Sequence, residues 1–252
     1  VDPATREVSV ERLAGGAARD AAADRVAVEA ALELRARGRA VATLMRTPGA
    51  DVELVRGLLH AESIDAGAVV QAGDDAVDVD VDAAAFAGRG VMATAACGVC
   101  GRAAIADLEL RAREVEADTR IARAVLVGLP AKLRAAQGAF DATGGVHAAG
   151  LFRVDGTLIA VREDVGRHNA VDKLVGFALA ARVDPARCAI VLSGRAGYEL
   201  IQKAVRFGVP VVAAVSAPSS LAIELAERFN VALAGFVRGD RANLYAHGWR
   251  VT

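Results

Sequence analysis

Cys188-Ala189-Ile190-Val191-Leu192-Ser193 is an apolar run that ends in a polar turn, Ser193-Gly194-Arg195-Ala196-Gly197. Its length, its branched side chains and the glycines behind it mark a buried strand. Residues 198–207 follow with helical spacing. The pairing then repeats, with an apolar strand over 210–215, a helix over 220–228 and a last strand over 231–236. Strands alternating with helices build βαβ units, so the C-terminal half is expected to be α/β, with a mixed, mostly parallel sheet between two helical layers. Upstream of this run, a helix is expected over 169–181. Strands are expected over 147–154 and 157–161, joined by the hairpin signal Asp155-Gly156, with a further helix over about 130–139.

The N-terminal half reads differently. Residues 11–24 are rich in Ala, Gly, Arg and Asp and weakly periodic, which suggests a poorly ordered arm or a surface loop. From Val26 to Met45 two strands are expected around a turn at Arg37-Gly38-Arg39. Pro48 and Gly49 stop the second strand, and Thr47 or Asp51 is placed to cap a helix over 52–62. Val77-Asp78-Val79-Asp80-Val81-Asp82 alternates strictly, the pattern of a half-exposed strand. This gives a flexible arm over 1–24, a small α+β domain over 25–90, a connecting segment over 91–122 and the larger domain over 123–252.

The 252 residues are long enough for one large or two smaller cores. A net charge of −1 supplies no overall basic field for nucleic acid. No apolar run is long enough to span a bilayer, and the N-terminus has no apolar signal-peptide core. Three cysteines do not make a secreted disulfide framework. The composition therefore points to a soluble cytoplasmic protein with no nucleic-acid or membrane partner.

Several loops beside the expected strands carry polar clusters. Asp141-Ala142-Thr143-Gly144-Gly145-Val146-His147 precedes one strand. Arg162-Glu163-Asp164-Val165-Gly166-Arg167-His168-Asn169-Ala170-Val171-Asp172-Lys173 lies between a strand and a helix. Ser193-Gly194-Arg195 and Ser216-Ala217-Pro218 each follow an apolar strand. Small residues let backbone N–H groups approach phosphate, and arginine adds a two-pronged donor. One such turn alone is ordinary turn chemistry. Several turns after successive parallel strands come to one sheet edge, which points to a shared phosphate-bearing ligand. None of them is a GxxxxGK[ST] loop, so binding without nucleotide hydrolysis is expected.

Cys97-Gly98-Val99-Cys100-Gly101 is the second chemical feature. A close thiol pair can hold half a metal site, cycle as a disulfide or carry sulfur. A zinc site needs two more ligands, and the sequence has no second CxxC and no HxxxH. A zinc deaminase needs HxE and PCxxC, with the Glu moving protons. Ala149 stands where that Glu belongs, and no proline precedes Cys97. Cys188 opens an apolar strand and reads as a small buried hydrophobe.

Taken together, these motifs resemble the formate dehydrogenase accessory sulfurtransferase family, FdhD. The marks are Met45-Arg46-Thr47-Pro48-Gly49, Cys97-Gly98-Val99-Cys100-Gly101, Thr143-Gly144-Gly145-Val146-His147 and the block from Arg162 to Lys173. Ser193-Gly194-Arg195, Ser216-Ala217-Pro218 and Gly235-Phe236-Val237-Arg238 complete them, in order from about Val26 to Tyr245. The resemblance implies a carrier that takes persulfide sulfur from a cysteine desulfurase. It then passes the sulfur to the molybdenum or tungsten guanine dinucleotide cofactor, for formate dehydrogenase. It also implies a cytidine-deaminase-like C-terminal domain, a homodimer, and GDP as a cofactor analogue.

By the same resemblance Cys97 carries the persulfide, and thiol chemistry lets Cys100 assist by resolving or relaying the sulfur. The resemblance also makes Phe236-Val237-Arg238-Gly239-Asp240-Arg241 the cofactor-binding stretch; the strand-end turns add Ser193, Gly194, Arg195 and Ser216 as expected ligand groups, with His147, Arg162, Glu163, Asp164, Arg167, His168 and Lys173 as expected site lining. No resident metal is implied. The chain departs from the family pattern at Ala95-Ala96 and Gly197, where serines are common, and at Ala30-Ala31, often Glu-Pro. A cofactor-binding chaperone that moves no sulfur is the competing reading.

Overall fold

The computed structural model describes residues 2–13, 19–86 and 114–252. The large sheet has six strands in the order β12-β11-β10-β9-β7-β8. These are β7 (His147–Arg153), β8 (Leu158–Asp164), β9 (Cys188–Leu192), β10 (Val211–Ala214), β11 (Ala232–Arg238) and β12 (Arg241–Ala246). The parallel part is β9-β10-β11; β7 runs antiparallel to β9 and β8, and β12 antiparallel to β11. Strand β12 lies beyond the last strand expected from sequence. Its short, polar stretch has no apolar alternation and pairs because the Gly239-Asp240 turn folds it back, Arg238 opposite Arg241.

Helices cover both faces. One face packs against α4 (Arg167–Ala180), α5 (Tyr198–Phe207) and α6 (Ser220–Arg228), with Leu151, Ile190, Leu192, Val212 and Leu233 in the shared core. The other face packs Phe152, Val191 and Val211 against Leu126, Leu129 and Leu133 of α2 (Arg123–Ala135). Sequence spacing starts this helix at Pro130, a favoured first position. Instead Pro130 sits inside it, and the leucine face of α2 outweighs the lost backbone bond. A short helix, α3 (Gly138–Thr143), follows it.

The small sheet has the order β4-β3-β6-β5, formed by β3 (Ala30–Ala36), β4 (Arg39–Arg46), β5 (Val69–Gln71) and β6 (Ala76–Val79). Arg37 and Gly38 form its tight turn, both at positive φ (48° and 81°), as a two-residue type I′ hairpin requires. The alternating aspartates end the strand early because they serve that turn. Asp78 accepts from the Gly38 N–H at 3.0 Å, and Asp80 pairs with Arg37 at 2.8 Å. Helix α1 (Asp51–Ala61) lies on this sheet through Leu54, Val55, Leu58 and Leu59. Neither Thr47 nor Asp51 caps it: the N-cap is Ala50, in the left-handed region, with no side-chain bond.

The two sheets meet through α1 and α4. A Cβ on Gly57 would lie 1.9 Å from the Asp172 carbonyl oxygen, and one on Gly176 would lie 1.9 Å from that of Glu53. Each helix thus offers a glycine to the other's backbone, and no side chain separates them at the crossing. The expected domain break falls largely on residues 87–113, outside the described residues.

Where the sequence suggests a weakly ordered arm, β1 (Thr5–Leu13) and β2 (Arg19–Ala27) pair as an antiparallel hairpin. Opposite charges face each other across it, Glu7 against Arg25 and Arg12 against Asp20. The alanines of β2 hide this pattern in the sequence.

Candidate functional site

The parallel strands β9, β10 and β11 send their carboxyl ends to one edge of the large sheet. Strand β7 begins at that edge, since Ala149 lies opposite Leu192, and β8 ends there, with Asp164 opposite His147. The edge therefore collects His147, the start of α4 at Arg167-His168, the turn Ser193-Gly194-Arg195, Ser216, and the β11–β12 turn. These are the polar clusters that the sequence places beside its strands.

Backbone bonds fasten these turns together. The Ala196 N–H donates to the Ala217 carbonyl at 3.1 Å, and the Ser219 N–H donates back to Ala196 at 3.0 Å. The Phe236 N–H donates to Ser216 O at 3.2 Å. Gly235 is required there, because a Cβ would lie 2.9 Å from both Pro218 and the Tyr245 ring. Phe236 itself sits at φ 52° beside a register shift between β11 and β12, and its side chain is 40% exposed. A non-glycine residue in this region is strained, and such strain clusters at sites that present a side chain. Ser193 Oγ accepts from the Ala148 N–H at 2.8 Å, which ties the Ser-Gly-Arg turn to β7.

The edge is cationic. Burial is the main cause that holds the His147 imidazole below its usual pKa range, followed by the charges of Arg167, His168 and Arg195. The ring abuts Gly194, where a Cβ would stand 3.4 Å from Nδ1. His168 Nε2 meets Glu199 Oε2 at 2.5 Å, and that bond holds the Glu199 carboxyl below its usual range. Glu199 lies outside the expected site residues. It sits in the first turn of α5, and nothing in its spacing signals a partner on α4.

Other expected lining residues are committed elsewhere. Asp164 is 0% exposed and Lys173 2%; the two pair at 2.7 Å. Asp164 also accepts from the Thr47 and Gly166 N–H groups and from Asn169 Nδ2, at 3.1, 2.8 and 2.9 Å. Lys173 Nζ donates to Thr47 O at 2.7 Å, and Asn169 Nδ2 to Met45 O at 2.8 Å. The block from Arg162 to Lys173 is thus the socket for the Met45–Gly49 loop. Arg162 forks onto Glu53 of α1 at 2.5 and 2.9 Å. Glu163 accepts from the Ala139 and Phe140 N–H groups, both at 2.9 Å, and so caps α3 from a distance. A cavity of about 310 Å³ borders this junction, lined in part by Thr47, Gly49, Arg162, Glu163 and Lys173.

Of the stretch from Phe236 to Arg241, Val237 is fully buried and belongs to the core. Phe236, Arg238, Gly239, Asp240 and Arg241 are exposed along the turn. Cys97 and Cys100 lie outside the described residues. Cys188 is buried, donates to Asp184 O at 3.3 Å, and has its thiol pushed up to about 11 by burial. Among the described residues no group of three or more His, Cys, Asp or Glu is placed to hold a metal ion. No helix among them is long and apolar enough to cross a membrane.

The model of the FdhD/NarQ family matches residues 27–252. The chain belongs to that family. It is 46% identical over 253 residues to the sulfur carrier protein FdhD of Nocardia farcinica, covering 90% of this chain and 88% of that one. It is 39% identical to the FdhD protein of Sulfolobus acidocaldarius, over 98% of each chain. The fold is shared with the crystal structure of a proposed formate dehydrogenase accessory protein from Desulfotalea psychrophila. That match has a TM-score of 0.82 at 22% identity, over 99% of this chain and 100% of that one.

Proposed function

We propose that this chain is a sulfur carrier that serves formate dehydrogenase maturation, with Cys97 as the carrier thiol. The Cys97 thiolate attacks the outer sulfur of a persulfide on a cysteine desulfurase. The donor's sulfur–sulfur bond breaks, the donor cysteine leaves as a thiolate, and Cys97 becomes the persulfide. Cys100 assists by relaying or resolving that sulfur. The outer sulfur would then pass to the molybdenum or tungsten of the guanine dinucleotide cofactor, which is substrate here. The Cys97 sulfur–sulfur bond breaks, Cys97 leaves as a thiolate, and the reduced metal would supply the two electrons that turn the sulfur into a sulfide ligand. The setting is cytoplasmic, and the working unit is a homodimer.

The observation that supports this reading best is the cationic sheet edge in a chain of this family. Arg195 and Arg238 reach solvent there, and Phe236 is exposed on the same edge. Phosphates suit the arginines, and a base suits the ring. Incubation with a cysteine desulfurase and cysteine is expected to add sulfur to the Cys97 peptide, read by mass spectrometry. Addition confined to Cys188 would sink the assignment. Formate dehydrogenase activity that survives Cys97→Ala would favour the chaperone that moves no sulfur.

A further inference from the structure

We propose that the open sheet edge takes up a proton together with its phosphate-bearing ligand, and that His147 is the group that receives it. The inference rests on the nucleotide reading above and adds a regulation to that site: binding tightens as the pH falls through the histidine range.

The geometry carries the argument. His147 opens β7 and lies against the Ser193-Gly194-Arg195 turn, its ring within van der Waals reach of Gly194. Two guanidinium groups and an imidazole act on it from two other elements: Arg167 and His168 at the start of α4, and Arg195 of the turn. One carboxylate opposes them, Asp164 at the end of β8, and it is already held by Lys173, Asn169 and two backbone N–H groups. Glu199 of α5 is bonded to His168 at 2.5 Å and holds that ring in place. His147 is therefore half-buried among positive charges and favours its neutral form.

Burial comes first in keeping the ring neutral and the neighbouring charges second; an anion that enters among Arg167, His168 and Arg195 offsets those charges. It also accepts a hydrogen bond from a ring N–H. Both changes favour the imidazolium. The proton comes from solvent and goes to a ring nitrogen; no covalent bond changes. Linkage makes the effect reciprocal: if the ligand raises the proton affinity of His147, protonation raises the ligand affinity equally. Uptake of one proton per ligand steepens affinity by up to about tenfold per pH unit.

GDP-mannose is the probe, because its pyrophosphate diester carries no proton that ionises between about pH 5 and 8, where histidine titrates. Calorimetry in two buffers of different ionisation enthalpy is expected to show net proton uptake, and affinity several-fold higher near pH 6 than near pH 8. His147→Gln is expected to keep the weaker affinity and lose the pH dependence. If that variant fails to fold, histidine NMR of the unmodified protein decides, with the His147 titration expected to move to higher pH when ligand is added. Binding that is indifferent to pH, or dependence retained in His147→Gln, would overturn the inference while leaving the nucleotide reading intact. No binding at any pH would overturn both.

Discussion

The junction around Asp164 and the edge around His147 adjoin, since those two residues pair across β8 and β7, yet similar residues meet opposite fates in them. At the junction, Asp164, Lys173, Asn169 and Thr47 are buried and bond to one another and to backbone. At the edge, Arg195, Phe236 and Arg238 are exposed, and the bonds that fix the turns are mostly main-chain. Density of polar residues in a motif therefore does not identify a ligand site. What separates the two regions is whether the donors have partners within the protein.

Four experiments press on this difference. The largest effect is expected at the junction. Asp164→Ala leaves a buried ammonium without its carboxylate, which should cost about 3–5 kcal/mol in denaturant unfolding. A loss well below about 1 kcal/mol would show that the junction is wetter than its burial implies. Next is the helix crossing: Gly176→Ala pushes a methyl into the Glu53 carbonyl and should cost about 3 kcal/mol.

At the edge the readout changes from stability to binding. Arg195→Ala should weaken GDP by about 1.5–3 kcal/mol in calorimetry with little change in melting temperature. Unchanged affinity would make the Ser-Gly-Arg turn structural, like the junction. The smallest effect is expected from Glu199→Gln. The depressed Glu199 carboxyl contributes stability above its ordinary range, and that contribution is lost as pH falls through the folded value. The stability gap between this variant and the unmodified protein should close on acidification below about pH 4. A gap that persists there would mean that His168 does not depress Glu199.

Much of the C-terminal fold is legible because its strands are buried on both faces and read as continuous apolar runs. Helices α5 and α6 carry their boundaries in the turn residues around them. The β1–β2 hairpin and β12 are not legible. Their stability comes from cross-strand pairs and a two-residue turn, and exposed strands lack an apolar face to betray them. For the site, the parallel strands β9 to β11 bring Arg195, Ser216 and Phe236 to one edge, and antiparallel β7 starts His147 there. The topology does not reveal that Asp164 and Lys173 face inward, because their partners, Thr47 and the Met45–Gly49 loop, lie more than a hundred residues away in sequence. Nor does it reveal Val237 as core, since a strand residue's face depends on a register that the bulge beside Phe236 resets.

The paired glycines at the α1–α4 crossing also bear on how the molecule comes apart. Two main chains in direct contact leave no deformable layer between the halves. Rigid interiors transmit displacement and do not absorb it. Prising the small sheet from the large one would expose both helices' inner faces at once, along with the socket that grips the Met45–Gly49 loop. The two sheets should accordingly melt as one cooperative unit, a single calorimetric transition and not two.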